Sequence, residues 1–190
     1  PQVNYLKRHL PLIILVLSIQ VGNSQDHFSK REVSEQLQSY FRHPAPGLLC
    51  KIIRSCDVDD TWLNNAASPL FGFCTVAFER SSSCRAAYEC LVDSLHYIGA
   101  LISRSLSVSA SKDSILRLQE QSPEMNDAMW GAFFASGDTR YVARITRSMT
   151  LCDGADSLML LMTGHSAKWS LCSNARSYPE VKQFLQSQLD

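Results

Sequence analysis

The sequence predicts an all-α fold of antiparallel helical hairpins, a short solenoid-like array of roughly seven to nine helices. Three observations carry this. Apolar residues recur at spacings of three and four along most of the chain, no strand-like alternation lasts more than a few residues, and helix-starting and helix-stopping residues fall between the periodic runs.

The first periodic run, Ser29 to Phe41, places Val33, Leu37, Tyr40 and Phe41 on one face, with Ser29 as its cap. Pro44 and Pro46 interrupt it, and Leu48, Leu49, Ile52, Ile53 and Cys56 mark a second helix. Asp57 to Ser68 reads as a connector in which Trp62 and Leu63 tuck inward. Pro69 then opens a helix that is apolar on much of its circumference through Phe78, and so central. From Ser82 to Leu106 the residues Cys84, Tyr88, Leu91, Leu95, Ile98 and Ile102 alternate spacings of four and three, which predicts one long helix. Serines at alternate positions from Ser103 to Ser111 suggest a polar break before Ile115, Leu116 and Leu118.

Ser122-Pro123-Glu124 combines a cap, a first-turn proline and an acid at the positive end of a helix. That helix buries Met125, Met129, Trp130, Phe133 and Phe134. Gly137 suits a left-handed C-cap and Asp138 an immediate N-cap, so a second helix with Tyr141, Val142, Ile145 and Met149 inward follows across a tight corner. Asp153-Gly154 makes a further turn, Asp156 is placed to cap the next run, and Gly164 breaks or bends that run before Trp169. A last helix after Ser177-Tyr178-Pro179 carries Val181, Phe184, Leu185 and Leu189.

The phrase from Trp130 to Asp138, with Gly131 and Phe133 within it, is echoed at Trp169-Ser170-Leu171-Cys172 and at Phe71-Gly72-Phe73-Cys74. A valine stands twelve residues after each tryptophan, Val142 and Val181. This reads as a repeated packing unit in which the aromatic faces the core. The same residues, with Arg140-Tyr141-Val142 and Ile145 and with Asn174-Ala175 and Val181, resemble an uncharacterised, mostly bacterial family of exported all-helical proteins. Its motif is Trp-Gly-Ala-Phe-Phe-Ala, then Ser or Thr, then Gly-Asp. Tyr40-Phe41, Pro44, Pro46 and Pro69 to Phe73 are similar to that family's opening portion, although the family usually has Thr where Ser136 stands. The resemblance implies a compact helical domain and supplies no activity or cofactor.

Lys7, Arg8 and His9 precede an uncharged apolar run from Leu10 to Val21 and the small polar residues Gly22-Asn23-Ser24. Residues 1–24 therefore read as a secretory signal, and residues 25–190 as a single helical domain in the periplasm or the medium. An uncleaved N-terminal anchor is the alternative; the run is shorter than the roughly 18 residues of a spanning helix, so no stable membrane span is expected after cleavage. Lys plus Arg and Asp plus Glu balance at 18 each, with no basic cluster beyond the signal, so nucleic acid is not an expected partner.

All 7 cysteines lie beyond the signal, where disulfides are possible and an odd count leaves one thiol over. Cys50/Cys56 and Cys84/Cys90 are each six apart, about 9 Å along a helix axis, so neither pair bridges within its own helix. No metal is expected, because the histidines are scattered and no Cys-x-x-Cys or His-x-x-x-His occurs. His165, in the turn-like Gly164-His165-Ser166 and oriented by Asp138 or Asp153, is the candidate base of a small hydrolase; no nucleophile motif accompanies it. The Met and aromatic helix from Met125 could line a cavity for an apolar ligand. Arg140, Arg144 and Arg147 form one stripe that could meet an acidic partner. The leading expectation is a cofactor-free interaction or scaffold domain with a protein partner.

Overall fold

The computed structural model describes residues 27–57 and 60–189; the signal reading for residues 1–24 lies outside them. Among the described residues there are nine α-helices and no strand. In chain order they are α1 (Lys30–Ser39), α2 (Pro46–Cys56), α3 (Asp60–Arg80), α4 (Ser82–Leu91), α5 (Gly99–Val108), α6 (Pro123–Ser136), α7 (Thr139–Ser148), α8 (Leu158–Ser177) and α9 (Pro179–Gln186). Their starts follow capping chemistry. Ser29 and Glu32 form a reciprocal capping box at α1, and the Ser122 and Asp138 side chains accept from Met125 N and Arg140 N at α6 and α7.

α3 and α6 are the central antiparallel pair. Leu70, Phe71, Phe73, Cys74, Val76 and Phe78 of α3 are buried, as are Met125, Met129, Trp130, Phe133 and Phe134 of α6. Two glycines set their separation. A Cβ on Gly72 would be driven into the Ala128 carbonyl, and one on Gly131 into the Pro69 carbonyl. The two contacts are reciprocal, each glycine resting on the carbonyl three residues before the other, as antiparallel packing requires. Without Cβ atoms the backbones meet directly, with Cα–H groups turned toward carbonyl oxygens.

Several expectations need correction. The stretch from Asp60 to Ser68 is not a connector but the start of α3, and Pro69 lies inside that helix. A proline there removes one hydrogen bond at a cost of about 3 kcal/mol in an isolated helix; burial of Leu63 and Leu70 on either side holds the helix through it. Leu63 tucks inward as expected, while the Trp62 side chain lies outside those described. The long helix from Ser82 to Leu106 is divided into α4, a 3₁₀ turn at Val92–Ser94, and α5. Asp57 decides this. Its carboxylate accepts the backbone N–H groups of His96 (3.0 Å), Tyr97 (2.6 Å) and Ile98 (3.0 Å), which starts a new helix at Gly99. His96 is thus exposed in the break and not within a helix.

The serine run is no break either, since Ser103, Ser105 and Ser107 belong to α5; Ser105 is buried and faces the Phe71 carbonyl at 3.5 Å. The break comes after Val108, where Glu79 accepts from the Asp113 and Ser114 backbone and from the Ser114 hydroxyl.

The α6–α7 corner is as expected, with Gly137 left-handed at φ 69° and Asp138 capping at once. Farther on, Ser157 and not Asp156 caps α8, and the helix runs unbroken through Gly164. A Cβ there would lie 2.6 Å from Cys152 N, so the glycine serves close packing instead. The α8–α9 corner is a single residue, Tyr178, which ends one helix and starts the next. Leu189 is exposed beyond α9, while Val142 and Val181 are both fully buried.

The glycine contacts give a direct test. Gly72→Ala and Gly131→Ala should each lower unfolding stability by about 3 kcal/mol or more, because the obstacle is backbone and cannot rotate away. Gly47→Ala, in the first turn of α2 with open space around it, should be neutral or gain up to about 1 kcal/mol. Urea midpoints of the three variants decide it.

Candidate functional site

α8 carries a side-chain distribution opposite to that of an ordinary surface helix. Its inward face is mostly small, made of Thr163, Gly164, Ala167 and Ser170, with Leu171 the one large residue turned into the core. Its outward face is large and apolar. Leu158 is 71% exposed, Met162 52% and Trp169 74%, and with exposed His165 and Cys172 they follow spacings of four and three along one stripe. Met159 and Leu161 widen it. The helix sits close to the body through Gly164 on Cys152 and through the Asn126 amide, which donates to the Thr163 carbonyl at 3.0 Å. Where Gly164 meets Cys152 a bulky inward residue cannot fit, and the large side chains around that turn project outward.

The echo at Trp169 is therefore corrected. What recurs in all three copies of the phrase is the small residue after the aromatic, since Gly72, Gly131 and Ser170 are all buried. The aromatic itself is buried at Phe71 and Trp130 and exposed at Trp169. Trp130 lies against Phe134 (centroids 6.1 Å, stacked) and Phe133 (6.0 Å, edge-on), and its indole N–H has no acceptor among the described residues. Its place there is held by apolar packing alone.

The arginine stripe is largely engaged within the chain. Arg140 binds both oxygens of Asp113 (2.8 and 3.1 Å) and also Asp138 (2.7 Å). Arg144 donates to the Leu118 carbonyl at 3.3 Å, and Arg147 is exposed. Arg140 thus ties the cap of α7 to the loop before α6. Its hydrogen bonds hold the Asp113 carboxyl below the usual carboxylate range. Partial burial pushes Asp138 up, and the bonds from Arg140 outweigh that and bring it below its ordinary value.

Catalytic and ligand sites are less developed. His165 lies mid-helix on α8 and not in a turn, and no hydrogen bond joins it to Asp138 or Asp153. Asp138 is taken by Arg140, and Asp153 pairs with Lys168 at 3.5 Å. Among the described residues no group of three or more His, Cys, Asp or Glu is placed to hold a metal. A cavity of about 300 Å³ opens between α3, α5 and α6, lined by Ala67, Phe71, Leu101, Arg104, Met125 and Ala128 among others. Of the Met and aromatic residues of α6 only Met125 reaches it. The Arg104 guanidinium stands 4.4 Å from the centre of the Phe71 ring at its edge.

No helix among the described residues is long and apolar enough to cross a membrane. No protein-family model, curated protein or solved structure matches this chain. The α8 face escaped sequence reading because its stripe has the same period as a core-facing one; only the run of Gly164, Ala167 and Ser170 opposite it signals which side is buried.

The Arg140 cluster has a pH signature. Both aspartates titrate lower in the folded chain than the ~3.9 of unfolded aspartate, so their contribution is present above about pH 4 and is lost as pH falls through the folded values. Arg140→Ala should therefore cost about 1 kcal/mol or less at pH 7, since the cluster is partly exposed. The gap to wild type in denaturant unfolding should close below pH 4.

Proposed function

We propose that the protein is a non-enzymatic, exported helical interaction domain that docks the apolar surface of a partner protein on the outward face of α8. The observation that supports this most is the reversed helix, with small residues inside and Leu158, Met162 and Trp169 outside. Exposed contiguous apolar patches on soluble domains mark interaction sites, and tryptophan is enriched among the residues that anchor them. Export rests on the signal-like residues 1–24, with retention as an N-terminal anchor the competing arrangement. The likeness of Trp130–Asp138 to the uncharacterised exported family is consistent with this reading and adds no partner to it.

Because Met162 and Trp169 already face solvent, Met162→Asp with Trp169→Asp should leave the thermal midpoint near that of wild type. Pull-down with purified, immobilised protein, followed by titration of the recovered partner, should show affinity for the double variant reduced by at least about tenfold, the loss expected of an apolar anchor. Arg147→Glu should retain it. Equal binding by wild type and the double variant would overturn the assignment of this face.

A second reading, a carrier of a small apolar ligand, is favoured by the cavity between α3, α5 and α6, which is at the small end of ligand-sized pockets. It predicts a small molecule co-purifying in native mass spectra and lost on Leu101→Trp. Spectra showing only the bare chain in both proteins would remove it.

A further inference from the structure

We infer that Cys50 and Cys84 are a disulfide-forming pair that staples α2 to α4. Neither the docking face nor the cavity involves them. The sequence places them far apart, and the fold brings them together through contacts that run in step along two helices. Tyr88 donates its hydroxyl to the Cys50 carbonyl at 3.2 Å, and one turn earlier on each helix the Cys84 thiol lies 3.8 Å from the Pro46 carbonyl. The Pro46 carbonyl is the i−4 acceptor of the Cys50 N–H within α2, so the Cys84 thiol rests against the turn that carries Cys50.

Their surroundings give them unequal roles. Cys84 sits in the first turn of α4, where its N–H meets the capping Ser81 hydroxyl at 3.3 Å and the helix end is positive. The neighbouring Cys50 thiol, with the Ser81 and Ser83 hydroxyls, draws the Cys84 thiol below its ordinary value against the opposing effect of burial. The neighbouring Cys84, together with burial, pushes the Cys50 thiol up. On this placement at the first turn of α4 we assign Cys84, itself buried, the attacking role, and the half-buried Cys50 the resolving one. The other cysteines lack this arrangement. Cys56 and Cys74 are buried and pushed up chiefly by desolvation, Cys152 turns its S–H to the Met149 carbonyl at 3.1 Å, and Cys90 and Cys172 are exposed.

The chemistry balances against a small-molecule disulfide such as oxidised glutathione. The Cys84 thiolate attacks one glutathione sulfur, forming a mixed disulfide and expelling the first glutathione thiolate. Cys50 then loses its proton to solvent and attacks the Cys84 sulfur, expelling the second. The protein gives up two protons and two electrons, and one glutathione disulfide becomes two thiols. The bond closes residues 51–83, which contain all of α3, into a loop, and an oxidising compartment supplies the oxidant class.

The test is incubation of the folded chain with oxidised glutathione, acid quench, alkylation and peptide mapping without reduction. The expected result is one cross-linked peptide pair carrying Cys50 and Cys84, a thiol count falling by two from the 7 of the reduced chain, and loss of that pair in Cys50→Ser and in Cys84→Ser. The denaturation midpoint of the cross-linked wild type should rise and return on adding dithiothreitol. Glutathione retained on Cys84 without cross-linking would overturn the proposal. So would both thiols staying alkylatable while exposed Cys90 and Cys172 take up glutathione. The wild-type map decides the matter even if a serine variant fails to fold.

Discussion

The reciprocal contact of Gly72 with Ala128 and Gly131 with Pro69 is the constraint from which the rest of the structure follows. Two helices apolar on nearly every side can satisfy one another only by close approach, and backbone against backbone is the closest approach available. With α3 and α6 so joined, their remaining faces are large enough to need other helices. Phe71 turns to α5, Phe73 receives the edge of Tyr40, and Phe133 is met by Phe41 and Tyr178. The N-terminal and C-terminal portions of the chain thus share one core.

Around that pair, polar groups from one segment repeatedly complete the backbone of another. Asp57 starts α5, Glu79 holds the loop at Asp113 and Ser114, Arg80 caps the Ser136 carbonyl at the end of α6, and Asn126 holds α8. Each bond is worth only about 1 kcal/mol net, more where a charge takes part. Their larger effect is to fix where helices begin and end, since an unpaired buried N–H or C=O costs more than the bond returns.

The functional proposal comes from the one helix that departs from this economy of burial. α8 is held by small residues and turns its large ones to water, an arrangement that adds nothing to the chain's own core. A folded domain tolerates such exposure, and a binding surface requires it. The cysteines show the opposite case, in which residues suited to core packing come together as a reactive pair only through the alignment of α2 with α4.

Local chemistry was legible in the sequence. Ser29, Ser122, Gly137 and Asp138 announced their caps, the three-and-four spacing gave an all-helical fold, and the phrase at Trp130 marked a helix end and the immediate start of the next, because propensity, capping and amphipathicity are properties of a few neighbouring residues. The tertiary structure alone decided that α3 runs through Pro69, that Asp57 divides α4 from α5, and that Trp169 faces out where Trp130 faces in. Each of those outcomes depends on an atom far away in sequence: the burial that holds a proline-bearing helix, a carboxylate some forty residues upstream, and the Cys152 backbone that leaves room only for glycine. Periodicity states that a helix has a face; which face is inside is settled by what the chain places against it.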